Sequence, residues 1–306
     1  MEDNRSSNYC SFTNQSSAFQ TFSLITYIPL FIFGIMCNVL ALWIFCSKIQ
    51  KWTETTIFMV NLIVADILVV LTIPFRLYAT LNKWHLRSEL CKTVLCFYFV
   101  NMYMSIFTIT AISFDRYLAV RHPMKYKSWM SPMKASVICC IFWIILSTLT
   151  TIRVLASSDY IITTCFQKEN THPFNFSPVF VIVGFVLPLL VITFCSGKVL
   201  MTLRVKTQLD TYRQSSVKKA VKIVIANLVC FVICFLPIHV GYTIRFVADS
   251  LKTSCYILEK VNEFNHYTNF IASLNCVLDS ICYYFAASEV WDVLAKQKFK
   301  LLQCKS

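Results

Sequence analysis

Charge is what this sequence has least of. Of its 306 residues only 14% are Asp, Glu, Lys or Arg, while 57% are hydrophobic. A soluble domain carries about 25% charged residues, so this chain cannot clothe a surface that faces water. Glycine is scarcer still, at four residues. That excludes a Gly-rich phosphate loop, and it leaves no Gly-interrupted half-helices of the kind many transporters build around a substrate. No H-x-x-E or H-E-x-x-H pair and no G-x-S-x-G occurs, so the sequence offers no hydrolase constellation. Repeats, low-complexity tracts and a linker long enough for a second domain are missing too. No enzyme is expected.

What is present is apolar length. The mean hydropathy is +0.62. Seven blocks are long enough for the ~20 residues that span a bilayer as a helix: Ala18–Phe45, Thr56–Thr80, Leu90–Phe114, Ala135–Leu155, Pro178–Leu203, Lys222–Val247 and Ile257–Phe285. The second, cut by Asp66 and Arg76, and the seventh, cut by Asp279, are the weakest. Fifteen Lys and Arg follow the odd-numbered blocks, from Lys48 to Lys305, against five on the other side (Arg5, Lys83, Arg87, Lys168, Lys252). The positive-inside rule then puts the N-terminus outside and the C-terminus inside. Most of the net charge of +13 faces anionic lipid on the cytosolic side; nucleic acid is not an expected partner.

The start, "MEDNRSSNYC", is acidic and polar, unlike a cleaved signal peptide, so block one is expected to act as an uncleaved anchor. Asn4, Asn14 and Asn175 stand in N-x-S sequons, all on the outer side, and are candidate glycan acceptors. Of 15 cysteines, Cys10, Cys91, Cys165 and Cys255 lie near the outer face. There pairing is permitted, with three connectivities open.

Polar residues at membrane depth are costly and mark function or pairing. Asn38, Asp66, Ser105, Asn275 and Asp279 are mid-block. They could hold Na⁺ through hard oxygen ligands, or form an interhelical network with one Asp protonated. Toward the outer ends stand Arg76, Arg153, His239 and Arg245. Each alone could snorkel; together they suggest a basic cavity that clamps an anion. Tyr98, Met102 and Tyr103 would supply its apolar floor, and Glu259 and Glu263 are the nearest outer acids. Pro29, Pro74, Pro188 and Pro237 fall within blocks and should kink them. Pro237, beside Phe231 and Phe235, is a candidate hinge. Block three ends in "ISFDRYLAVRHP" (112–123), an acid and an arginine side by side after a long uncharged run.

With "DRY" closing the third block, "NLIVAD" (61–66) in the second, Trp143 in the fourth, Pro188 in the fifth, "FLPIH" (235–239) in the sixth and "LDSICYY" (278–284) in the seventh, the chain resembles rhodopsin-like (class A) G-protein-coupled receptors along nearly its whole length. The phrasing is most similar to the lysophospholipid-responsive and purinergic-like branch of that family. The resemblance implies an all-α, seven-transmembrane bundle with its N-terminus outside and a short amphipathic eighth helix inside. Its parts would be an extracellular segment (1–17), the receptor domain (18–285) and a cytoplasmic helix eight with a short tail (286–306). It also implies a disulfide Cys91–Cys165, with Cys10–Cys255 as the second bridge of a sub-branch.

The implied mechanism is a bistable lip. Asp115 holds Arg116 at rest; on activation the sixth helix swings out, and Arg116, with Tyr117 and Tyr283, meets a heterotrimeric G protein. Arrestin is a further implied partner, and the ligand would be small and anionic or lysophospholipid-like. Departures carry information. Phe235 stands where the family has Trp, Ser280 where it has Pro, Ser196 where it has Tyr, and Val217 where an acid would lock helix six. Tyr98 excludes an amine-type Asp and Ser273 an opsin lysine; Met102 replaces a pocket arginine. A small-solute transporter or channel, and a non-signalling decoy of the same fold, are the alternatives; the intact Asp115-Arg116-Tyr117 argues against the decoy.

Overall fold

The structure is a computed structural model, and it describes residues 10, 17–48, 52–82, 84, 86–157, 165–166, 168, 171–205 and 211–280. Tyr283, Asn4, Asn14 and the expected eighth helix lie outside the described residues. Helices follow one another as α1 (Ser17–Lys48), α2 (Glu54–Val70), α3 (Ile73–Leu81), α4 (Ser88–Arg121), α5 (Pro123–Trp129), α6 (Pro132–Ser157), α7 (Ser177–Val181), α8 (Leu187–Val205), α9 (Thr211–Ser250) and α10 (Cys255–Ser273). A π-helical turn, Ile182–Val186, joins α7 to α8. Among the described residues there is no strand.

Among the described residues, six crossings are long and apolar enough to traverse a bilayer: α1, α2 with α3, α4, α6, α7 through α8, and the Ala220–Ser250 part of α9. The second block is thus stronger than its two charges suggested. The seventh folds as α10 and, after a break at Leu274, residues 275–280. Its first half is polar, with Lys260 paired to Glu263 at 3.0 Å on the exposed face, which is why it falls short as an apolar span.

Proline shapes two crossings. Block two reads as one run, Thr56–Thr80, but the helix stops at Val70 and restarts at Ile73. Pro74 has no N–H to give the Val70 carbonyl, and its ring would strike it. Pro188 does the same to the Gly184 carbonyl. There the chain widens by one residue, and the Leu187 N–H reaches back to the Ile182 carbonyl. The wide turn brings Gly184 so close to α4 that a Cβ would lie 2.6 Å from Tyr103 Cε1. A start signal is also visible: Thr53 accepts the Thr56 N–H at 3.3 Å and Glu54 opens the first turn of α2, satisfying an orphan donor and the helix dipole.

The core lies between α2, α4, α6, α8 and α9. Phe58, Leu62, Ile63, Tyr103, Ile106, Phe231, Phe235 and Ile238 are each 2% exposed or less. Emptying such a site costs about 3–5 kcal/mol for a Phe→Ala change. The outside is inverted relative to a soluble protein: Ile25, Phe33 and Met36 of α1 and Ile144, Ile152 and Leu155 of α6 are all more than half exposed. Apolar surface on this scale is stable only against lipid.

Candidate functional site

At one end of the bundle Asp115 is fully buried. Its Oδ2 accepts from Arg116 at 2.8 Å and from Thr55 Oγ1 at 3.2 Å, and its Oδ1 accepts from Tyr126 Oη at 2.8 Å. Arg116 also donates to Thr55. The acid–arginine pair is therefore seated against α2 and against α5, and both seats, Thr55 and Tyr126, escape a reading that follows charge alone. Tyr126 lies outside the spans. Burial pushes its phenol above the ordinary range, and the Asp115 carboxylate pushes it further, so it stays a donor. Tyr117 leans on Phe194 with centroids 5.9 Å apart, beside an apolar seam of Val199, Val217, Ala220 and Val221. Where the family's lock would be ionic, α9 here offers Val217 and hydrophobic contact.

In mid-bundle, Asp66 and Asp279 are buried and close enough to act on each other electrostatically. Asn101 donates to Asp66 at 3.4 Å and Asn275 to Asp279 at 2.8 Å. Ser105 Oγ and Asn275 Oδ1 are buried with no hydrogen-bond partner among the described residues. Asn38 donates to the Gly34 and Cys276 carbonyls, tying α1 to the seventh crossing. Two carboxylates with two orphaned oxygens have the chemistry of a hard monovalent-cation site. No group of three or more His, Cys, Asp or Glu able to hold a metal occurs among the described residues. Nearby, Trp143 donates to Asn61 at 2.9 Å and Asn61 to Thr108 at 3.0 Å, so α6, α2 and α4 share one polar thread.

The other end carries both disulfides, Cys91–Cys165 and Cys10–Cys255, with Cα separations of 5.8 and 5.5 Å. Of the three connectivities the cysteines left open, this is the one adopted. The four basic residues meet different fates. Arg76 is buried; it donates to Tyr27 Oη at 3.1 Å and lies over Tyr98 at 4.3 Å and Phe166 at 4.6 Å. A small cleft beside it is lined by Phe19, Thr80, Phe166, His266 and Asn269. Arg153 sits over Phe99 at 4.1 Å, Phe180 at 5.1 Å and Tyr242 at 5.2 Å, and donates weakly to Tyr103 Oη at 3.4 Å. Neither arginine has a carboxylate within ion-pair distance among the described residues. The rings solvate both cations through their π faces, worth about 2 kcal/mol or more when dry.

His239 is stacked on Phe185, with centroids 4.5 Å apart. Its Nδ1 lies 2.7 Å from the Phe235 carbonyl. A carbonyl only accepts, so Nδ1 carries the proton. Nε2 is left as a buried acceptor with no partner among the described residues. Tyr98 donates to Asn269 at 2.5 Å. Met102 and Tyr103, at 2% and 1% exposed, both belong to the central core.

Arg245 needs a correction. The expectation of an arginine lacking a nearby acid fails because Asp249 stands one turn further along α9. Asp249 Oδ1 accepts from Arg245 Nε at 3.0 Å and Oδ2 from Lys168 Nζ at 2.5 Å. Arg245 also donates to Asn262 of α10, and Asn262 Nδ2 to the Lys168 carbonyl at 3.4 Å. Burial pushes the Lys168 ammonium down even with Asp249 beside it. Asp249 lies beyond Val247, where the apolar run ends while the helix continues to Ser250.

Known proteins agree with this arrangement. The profile described as 7 transmembrane receptor (rhodopsin family) matches residues 37–283. G-protein coupled receptor 35 of Homo sapiens is 39% identical over 267 residues, which cover 87% of this chain and 84% of that receptor. A putative purinoceptor of Mus musculus is 34% identical over 288 residues, 89% of this chain and 85% of the relative. Lysophosphatidic acid receptor 6 of Gallus gallus is 33% identical over 284 residues, 88% and 91% of the two chains. From Asn38 in the first crossing to Asp279 in the seventh, the motif residues lie inside that match, and the chain belongs to the rhodopsin family of seven-transmembrane receptors.

Proposed function

We propose that this receptor sits in the plasma membrane with its N-terminus outside, takes a small anionic or lysophospholipid-like ligand at the disulfide end, and activates a heterotrimeric G protein at the Asp115 end. One observation carries the ligand class: Arg76 and Arg153 are held among aromatic rings with no carboxylate partner among the described residues. A guanidinium in a low-dielectric cleft is stabilised by an incoming anion. The rings that surround it suit an aryl group or an acyl chain. The names of the relatives, a purinoceptor and a lysophosphatidic acid receptor, point to phosphate-bearing ligands in the same branch, and support this reading.

Binding at that end shifts an equilibrium at the other. Pro237 lies inside α9, and His239 stacks on Phe185, Phe185 on Phe231, and Phe231 meets Phe235 edge-on. Outward movement of α9 would part Val217 from the Tyr117 seam and uncover Arg116 for the G protein, with Tyr117 and Tyr283 beside it; arrestin would use the same opening. Asp66, Ser105, Asn275 and Asp279 are the residues that would hold Na⁺, which stabilises the resting state by bridging α2, α4 and the seventh crossing. Asn175, exposed in the turn before α7, is the glycan acceptor among the described residues, alongside Asn4 and Asn14. The test is a panel of Gα nucleotide-exchange assays on the full chain in membranes, with oleoyl lysophosphatidic acid, a nucleoside diphosphate and an aryl carboxylate as probes. Exchange raised by one of them supports the proposal. A well-expressed chain that drives no Gα, alone or with any of them, overturns it.

A further inference from the structure

Asp249 occupies the kind of place a ligand's acid group would occupy. Its side chain is 1% exposed. One oxygen takes an N–H from Arg245, the other the ammonium of Lys168. The donors come from different parts of the chain: Arg245 from α9, and Lys168 from the segment that follows the Cys165 bridge. Asn262 of α10 braces both, accepting from Arg245 and donating to the Lys168 carbonyl. Lys168 Nζ also donates to the His172 carbonyl at 2.6 Å. Two cations face this one carboxylate at the rim, where the Lys168 side chain is still 31% exposed.

We infer that Arg245, Lys168 and Asn262 form an oxyanion site whose resident occupant is the Asp249 carboxylate, and that a carboxylate or phosphate oxygen from a ligand binds there by exchange with it. The inference rests on the reading that the disulfide end receives an anion. It divides that end in two. Arg76 and Arg153 gain an anion when ligand arrives. The Arg245 site trades one anion for another, so it selects for an oxyanion of the right shape while adding little net attraction. Asp249 in its place also ties the Lys168 segment to α9. Exchange frees that tie and couples acid recognition to the helix that must move.

Purified full-length receptor in lipid nanodiscs provides the test. Thermal unfolding is followed by tryptophan fluorescence for the wild type, Asp249→Ala and Asp249→Asn, while sodium chloride is replaced by acetate or inorganic phosphate at constant ionic strength. Both variants should melt lower in chloride, and acetate or phosphate should restore most of the loss saturably, as expected for an anion that binds the folded state. Acetate alone indicates a carboxylate site, phosphate alone a phosphate site. The wild type should show no saturable response, and adding Arg245→Gln to either variant should abolish the recovery. Should Asp249→Ala not yield folded protein, Asp249→Asn carries the test. No recovery in the variants that fold, an equal response in the wild type, or recovery that survives Arg245→Gln overturns the inference. The readout is independent of G proteins: recovery in a chain that drives no Gα leaves this site standing and removes the signalling proposal, and signalling without recovery does the reverse.

Discussion

Tyr126 of α5 donates its hydroxyl hydrogen to Asp115 of α4 at 2.8 Å, so the carboxylate that holds Arg116 is itself held from the neighbouring short helix. A hydrogen bond to a charged group is worth about 1.5–3 kcal/mol. Tyr126→Phe removes it and leaves the ring, so basal nucleotide exchange should rise several-fold with surface expression unchanged. Because burial and Asp115 keep the phenol protonated far above neutral pH, this bond should not titrate: the wild-type basal rate and its difference from Tyr126→Phe should both be flat between about pH 6.5 and 8.5, well below the ordinary tyrosine range. Ligand-free guanine-nucleotide exchange in membranes reads both.

Arg116→Ala should silence G-protein activation and spare ligand binding. The guanidinium contacts Asp115 and Thr55 at the bundle's end, far from the disulfide end. Radioligand binding beside an exchange assay checks it, and normal exchange by the variant would contradict the mechanism.

Arg153→Ala and Arg245→Ala should behave differently, although both read alike in the sequence. Arg153 offers an anion a charge with no competing carboxylate among the described residues. Its loss should weaken acidic agonists tenfold to a hundredfold, roughly the 1.5–3 kcal/mol of a charge-assisted bond. Arg245 already serves Asp249. Removing it leaves a buried carboxylate with Lys168 alone, and breaking such a pair costs about 3–5 kcal/mol; the lower end applies because Lys168 remains. The expected result is a lower melting temperature and poorer surface expression, with a smaller change in potency per folded receptor. Dose–response curves normalised to surface expression separate the two.

Gly184→Ala should destabilise the receptor by about 1–3 kcal/mol, the usual cost of overpacking a filled core. The added Cβ would press Tyr103 Cε1 at 2.6 Å, and Tyr103 is buried against Phe180 and His239. Since Tyr103 also accepts from Arg153, agonist potency should fall with it. Pairing with Tyr103→Leu should recover the stability and not the potency; thermal unfolding and dose–response measurements test the two halves.

The parts legible in the sequence are those fixed by local rules. The apolar runs locate the crossings, and Asp115-Arg116 announces itself as charge after a long uncharged stretch. What stayed hidden depends on who meets whom. Asp249 reaches Lys168 across 81 residues, and nothing in either neighbourhood hints at the other. Thr55 and Tyr126 are ordinary polar residues until α2 and α5 close on Asp115. The split at Pro74 and the wide turn before Pro188 are a third kind of miss: proline forecasts a disturbance, and the surroundings decide whether it becomes a break or a bulge.

The bridge between Cys10 and Cys255, which are 245 positions apart, turns most of the chain into a closed ring. Any single cut between those two residues opens the ring without dividing the molecule. A protease that nicks the connection between α8 and α9, or the segment that carries Lys168, would leave every crossing covalently joined, and only a reducing agent would release the pieces.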